Sequence, residues 1–179
     1  MTTKPAGLER SDPKAYQKMQ CERVGDRDPI ELLVATPATL QRIVSQHSPK
    51  VMRTRPFPGK WTPNEIIGHL GDTEWTYGFR IRMILSEDSP AILGMDQEKW
   101  VIGQGHNDRE PSELLEIFRE LRRFNLLLWK RMNPAALERT GRHNERGPES
   151  LGLMLRMTAG HDLSHIDQIT RYLAAIASA

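Results

Sequence analysis

Trp61-Thr62-Pro63-Asn64-Glu65-Ile66-Ile67-Gly68-His69-Leu70-Gly71-Asp72-Thr73-Glu74 carries the clearest helix-start signal in the chain. Thr62 suits the N-cap, Pro63 suits the first helical position, and Glu65 closes a capping box onto Thr62. Trp61 and Ile66 flank the cap as a hydrophobic staple. Beyond it, Ile66, His69/Leu70, Thr73, Tyr77, Ile81 and Ile84 recur at helical spacing, which predicts one amphipathic helix from Pro63 to about Ser86.

Working outward, three more segments show the same period. Before the quoted stretch, DPIELLVATPATLQRIVSQH contains Pro37, which lacks an N–H and crowds the preceding turn. Thr36 as N-cap with Pro37 first predicts a helix over about 37–47 after a short helical piece; one kinked helix is the alternative. After it, Leu114, Phe118, Leu121, Asn125, Leu128 and Met132 predict a helix from Pro111 to about Met132. Ser150 opens a final helix to about Ala177, with Met154, Thr158, His161, His165, Ile169, Tyr172 and Ile176 on its stripe. Gly152 and Gly160 each cost that helix about 1 kcal/mol relative to alanine. Two long connections remain: 87–110, with room for a helical turn near Trp100, and the polar stretch 133–149. Residues 1–27 read as a weakly ordered lead-in with at most one helical turn near 14–22. No alternating strand pattern is visible. The expected fold is all-α, a four-helix bundle with long connections.

Composition narrows the function classes. The 179 residues suit one domain, and a formal charge of +2 is close to balanced despite a pI of 8.8. Binding of nucleic acid through bulk charge is therefore not expected. The single cysteine, Cys21, excludes an internal disulfide framework or a CxxC site. With no apolar signal region and no membrane-length apolar run, a cytoplasmic protein without a membrane partner is expected.

The chemistry resides in the histidines. In His161-Asp162-Leu163-Ser164-His165, two imidazoles four residues apart share one helix face, with Cβ atoms about 5–6 Å apart. Both lie in an apolar stripe, so they should point inward. If the helix bearing His69 faces them, three imidazoles can meet around one divalent metal and leave a position open. Asp72 and Asp162 are placed to orient the rings or act as a base, and His143 to move protons nearby. Core histidines without a metal remain the alternative. A zincin reading fails because Asp162 is one methylene shorter than the required glutamate and no further ligand follows. An HD-type phosphohydrolase reading fails because the only later aspartate is Asp167. Glu65 is four residues before His69, not three, so the paired Glu-x-x-His motif of di-iron bundles is missing.

The quoted stretch from Trp61 to Glu74 resembles the W-S-x-x-E-x-x-x-H-L-x-D-x-E segment of the DinB-like superfamily. Gly160-His161-Asp162-Leu163-Ser164-His165-Ile166-Asp167-Gln168-Ile169 resembles its closing G-H-D-x-x-H-x-x-Q-I segment, and Gly141-Arg142-His143 through Gly147-Pro148 its G-x-H…G-P loop. The resemblance covers about residues 28–175, making 28–179 the bundle domain. It implies a four-helix bundle with one divalent metal on three histidines, which fall on His69, His161 and His165. It also implies company with S-transferases and isomerases that use a low-molecular-weight thiol such as bacillithiol or mycothiol, and with homodimers.

Other residues carry weaker expectations. Arg80, Arg82, Arg119, Arg122 and Arg123 read as solvated helix faces, or as holding a carboxylate of a thiol or substrate. His143 reads as a surface histidine apart from the proton-transfer role, and Trp75 as a packing or interface residue. His47 and His106 carry no usable signal. Imidazole ligands suit zinc, nickel or iron. Two functions follow: a metal-dependent enzyme, either a thiol S-transferase or a hydrolase, or a non-catalytic metal-binding, stress-associated or interaction protein.

Overall fold

The computed structural model describes residues 12–178; the part of the lead-in before Asp12 lies outside the described residues. Asp12 caps α1 (Pro13–Val24) and Asp28 caps α2 (Pro29–Gln46), each through its carboxylate. A short helix α3 (Pro49–Met52) precedes α4 (Pro63–Ser86). There Thr62 Oγ1 accepts from Glu65 N at 3.1 Å and Glu65 Oε2 accepts from Thr62 N at 2.7 Å, the expected capping box. The connection to α6 (Pro111–Trp129) holds β1 (Ala91–Ile92), α5 (Gln97–Gly103) and a 3₁₀ turn, His106–Asp108. Next come α7 (Pro134–Leu137), β2 (Thr140–His143), β3 (Gly147–Ser150) and α8 (Leu151–Ala177), capped by Ser150.

The molecule is mainly helical. Helices α2, α4, α6 and α8 form the bundle, with α4 beside α6 and α8, and α2 beside those same two. Chain neighbours α2 and α4 therefore sit across a diagonal, as do α6 and α8. No helix among the described residues is long and apolar enough to cross a membrane.

Three sequence expectations need correction. First, α2 runs unbroken through Pro37. The ring removes the N–H that would bond the carbonyl of Leu33, and Arg122 Nη1 donates to that carbonyl instead, at 2.9 Å. Second, the lead-in carries the three-turn helix α1, docked along α8. Gly160 makes the docking possible: a Cβ there would lie 2.0 Å from the Gln20 carbonyl oxygen. Third, there is a small sheet of order β1-β2-β3, with β1 parallel and β3 antiparallel to β2. Its strands are two to four residues long, too short for an alternating pattern to stand out.

The core has two apolar layers. One holds Leu40, Ile66, Leu70, Phe118 and Ile169; the other holds Leu33, Ile81, Trp129, Leu151 and Met154. Between them on the four bundle helices lie Thr36, His69, Glu74, Arg122, Asn125, His161 and Asp162, all buried. Arg122 is the hub. It reaches Leu33 O on α2, Glu74 Oε1 on α4 at 2.9 Å and Asp162 Oδ2 on α8 at 2.7 Å, joining all four helices. Burial works against its charge, but Asp162 and Glu74 outweigh that and raise the guanidinium pKa above its ordinary value. Arg80 is also buried, so the reading of these arginines as solvated faces holds only for the exposed Arg119 and Arg123.

Candidate metal centre

His69 comes from the buried first half of α4; His161 and His165 come from one face of α8. Adjacent packing of α4 and α8 brings them together. His161 Nε2 lies 3.1 Å from His69 Nε2 and 3.1 Å from His165 Nε2. The ligand atoms of all three lie within 4.8 Å of one another. Two nitrogens at bonding distance from a tetrahedral zinc are about 3.3 Å apart. The donor set and its spacing thus fit a divalent ion without rearrangement of the helices.

Neighbouring groups set the ring orientations. Gln168 Nε2 donates to Tyr172 Oη at 3.0 Å, which turns Gln168 Oε1 toward His165 Nδ1 at 2.9 Å. An amide oxygen only accepts, so His165 carries its proton on Nδ1 and keeps the Nε2 lone pair facing the trio. Trp61 covers the rings, with centroids 4.9 Å from His69 and 6.4 Å from His165, and donates Nε1–H to Glu98 at 3.0 Å. Burial lowers the His165 pKa to about 4, against smaller upward pulls from Gln168 and Asp162. A neutral imidazole is the form that ligates.

The candidate acid–base residues carry hydrogen bonds of their own. Asp162 Oδ2 accepts from Arg122 and from Thr36 Oγ1 at 2.8 Å. Asp72 Oδ1 accepts from Gln104 Nε2 and its Oδ2 meets His106 Nε2, each at 2.8 Å. These contacts bind Asp162 into the helix hub and Asp72 into the α4–α6 connection. His143 is buried, not a surface residue; it lies on β2, with Nδ1 accepting from Glu145 N at 3.1 Å. Burial pushes the Cys21 thiol up, against Arg156, which removes it as a ready thiolate.

Two cavities flank α4. One, of about 40 Å³, opens beside His69 and His161 and is also lined by Thr73, Tyr77, Arg80 and Arg146. The other, of about 600 Å³, is lined by Asp72, Gln104 and His106 with Trp75 and Trp100. Trp75 is 64% exposed. Sequence reasoning missed His106, Gln168 and the partnership of Arg80 with the first cavity. Gln168 had a signal, lying three residues after His165 within the closing motif. His106 had none, because its partner Asp72 is 34 residues away.

The DinB superfamily model matches residues 32–169. A "putative metal-dependent hydrolase" of Oceanobacillus iheyensis is 27% identical over 135 residues, covering 75% of this chain and 77% of that protein. The "putative metal-dependent hydrolase YfiT" of Bacillus subtilis is 24% identical over 147 residues, 79% of this chain and 82% of that one. A solved structure of Bacillus subtilis YfiT, titled as having "an unusual four-helix bundle topology", superposes with a TM-score of 0.76 at 23% identity. It covers 93% of this chain and 90% of its own.

Proposed function

Since the chain belongs to the DinB superfamily and three histidines of its bundle meet around one point, we propose that it is a metal-dependent hydrolase with His69, His161 and His165 as ligands. The convergence of the three Nε2 atoms from two helices carries this reading. The names of its relatives support the reaction class. A divalent ion held by three neutral imidazoles supplies a Lewis acid and makes water a better nucleophile near neutral pH.

The remaining parts are this chain's own. Gln168 holds the proton on His165 Nδ1, Trp61 keeps bulk water off the ring faces, and a small cleft along α4 opens beside His69 and His161. Asp72 and Asp162 are engaged in hydrogen bonds of their own, and His69, His161 and His165 would hold the ion as neutral ligands.

The test is elemental analysis of tag-free protein beside His161→Ala, followed by assays on ester and amide panels. About one divalent ion per chain is expected, lost in the variant while the circular dichroism stays helical. Turnover should follow the metal. Turnover only after adding a low-molecular-weight thiol would place the chain with the S-transferases instead. No metal after supply of zinc, nickel or iron would overturn the reading.

A further inference from the structure

Arg80 is a buried cation without an ion pair among the described residues. It is 4% exposed, lies on α4 and lines the same cleft as His69 and His161. Its Nη2 donates to the backbone carbonyl of Leu93, and its ring neighbour is Tyr77, 5.1 Å from the guanidinium carbon to the centroid. Nε is buried and has no hydrogen-bond acceptor among the described residues. No carboxylate among the described residues forms an ion pair with Arg80. Arg122, still more deeply buried, has two such partners.

The local charge is unbalanced. Arg146 lines the cleft too, but it is committed to the buried Glu149 through both carboxylate oxygens, at 2.5 and 2.9 Å. Two guanidiniums face one buried carboxylate. Glu145, the other acid nearby, is exposed to solvent, where its field is screened. A buried cation whose nearest carboxylates are shared with another guanidinium or screened by solvent is left with much of its desolvation cost. Burial accordingly pulls the Arg80 pKa below its ordinary value.

We propose that Arg80 anchors a carboxylate of the substrate at the end of the cleft away from the histidines, so that the enzyme acts on small carboxylate-bearing molecules. This rests on the reading of the three histidines as the metal centre. The helix geometry supports it: eleven residues separate His69 from Arg80, which puts them about 20° apart around α4 and about 16 Å apart along it. Helical side chains lean toward the N-terminus, which aims Arg80 back along the cleft toward His69. One uncompensated positive charge matches a monoanion, and a guanidinium matches a planar carboxylate. The cleft of about 40 Å³ takes a carboxylate but little more. A second cavity of about 260 Å³, lined by Pro13, Tyr16, Glu145 and Arg146, shares Tyr16 and Arg146 with it.

The experiment follows the Nε–Hε proton of Arg80 by ¹H–¹⁵N NMR while formate, the smallest carboxylate, is added to zinc-supplied protein. Neutral formamide is the control. A saturable shift of Arg80 Hε with formate and none with formamide is expected. In Arg80→Gln the neighbouring Tyr77 signals should stop responding to formate, and in Arg80→Lys the response should weaken at least tenfold but persist. Metal content should be the same in all three proteins. An unmoved Arg80 Hε, or equal shifts with formamide, overturns the proposal. The metal count is read separately: an absent ion sinks the metal reading, and the formate response still decides whether Arg80 binds anions.

Discussion

Gln168 decides which nitrogen of His165 faces the trio. Gln168→Leu removes that acceptor, and metal affinity should fall about 10- to 100-fold, as read by competition with a chromogenic chelator. Arg122 is the residue whose loss should cost most. Arg122→Met leaves Glu74 and Asp162 buried without their cation, and denaturant unfolding should show a loss of about 3–5 kcal/mol. The three converging histidines were legible as residues, since His161 and His165 share a helix face by spacing alone and His69 lies on the apolar stripe of the helix that opens with a capping box. The depth of Arg80 and Arg122 was not legible. An arginine on an amphipathic helix reads as solvated unless its partners are known, and those of Arg122 lie 40 to 89 residues away.

Among the elements, α4 and α8 matched expectation because their caps are local: Thr62 with Glu65, and Ser150 on Leu153 N. The proline in α2 misled because the group that satisfies Leu33 O is on another helix. The weak signal of α1 also has a physical cause: its sequence is polar, and α8 supplies the surface that holds it. Gly160→Ala tests that docking. In a free helix the change would help by about 1 kcal/mol. Here it drives a methyl into the Gln20 carbonyl, so a net loss of about 1–3 kcal/mol is expected. Limited proteolysis should then cut within 13–24 before the bundle yields.

For the whole molecule, the sign of one pH effect is set. Unfolded His165 takes a proton near pH 6.5, whereas the folded residue does so only at about 4. The unfolded state therefore binds more protons in that window. Metal-free protein should hold its full share of this stability above about pH 6.5 and lose it progressively toward pH 4. Thermal melts at fixed ionic strength would show this, and a flat profile across the window would contradict it. His161→Ala removes a neighbour but not the burial, so the trend should persist in that variant.

The bond from Arg122 to the carbonyl that Pro37 strands also has a consequence over descent. In a lineage where position 37 regains an N–H, the carbonyl of Leu33 has a partner within its own helix, and one of the demands on position 122 is lifted. The two positions should then change together across relatives, with proline at 37 tolerated chiefly where a long donor reaches in from α6. The laboratory equivalent is a pair of substitutions: Pro37→Ala should recover part of the stability that Arg122→Met removes, a coupling a double-mutant cycle can measure.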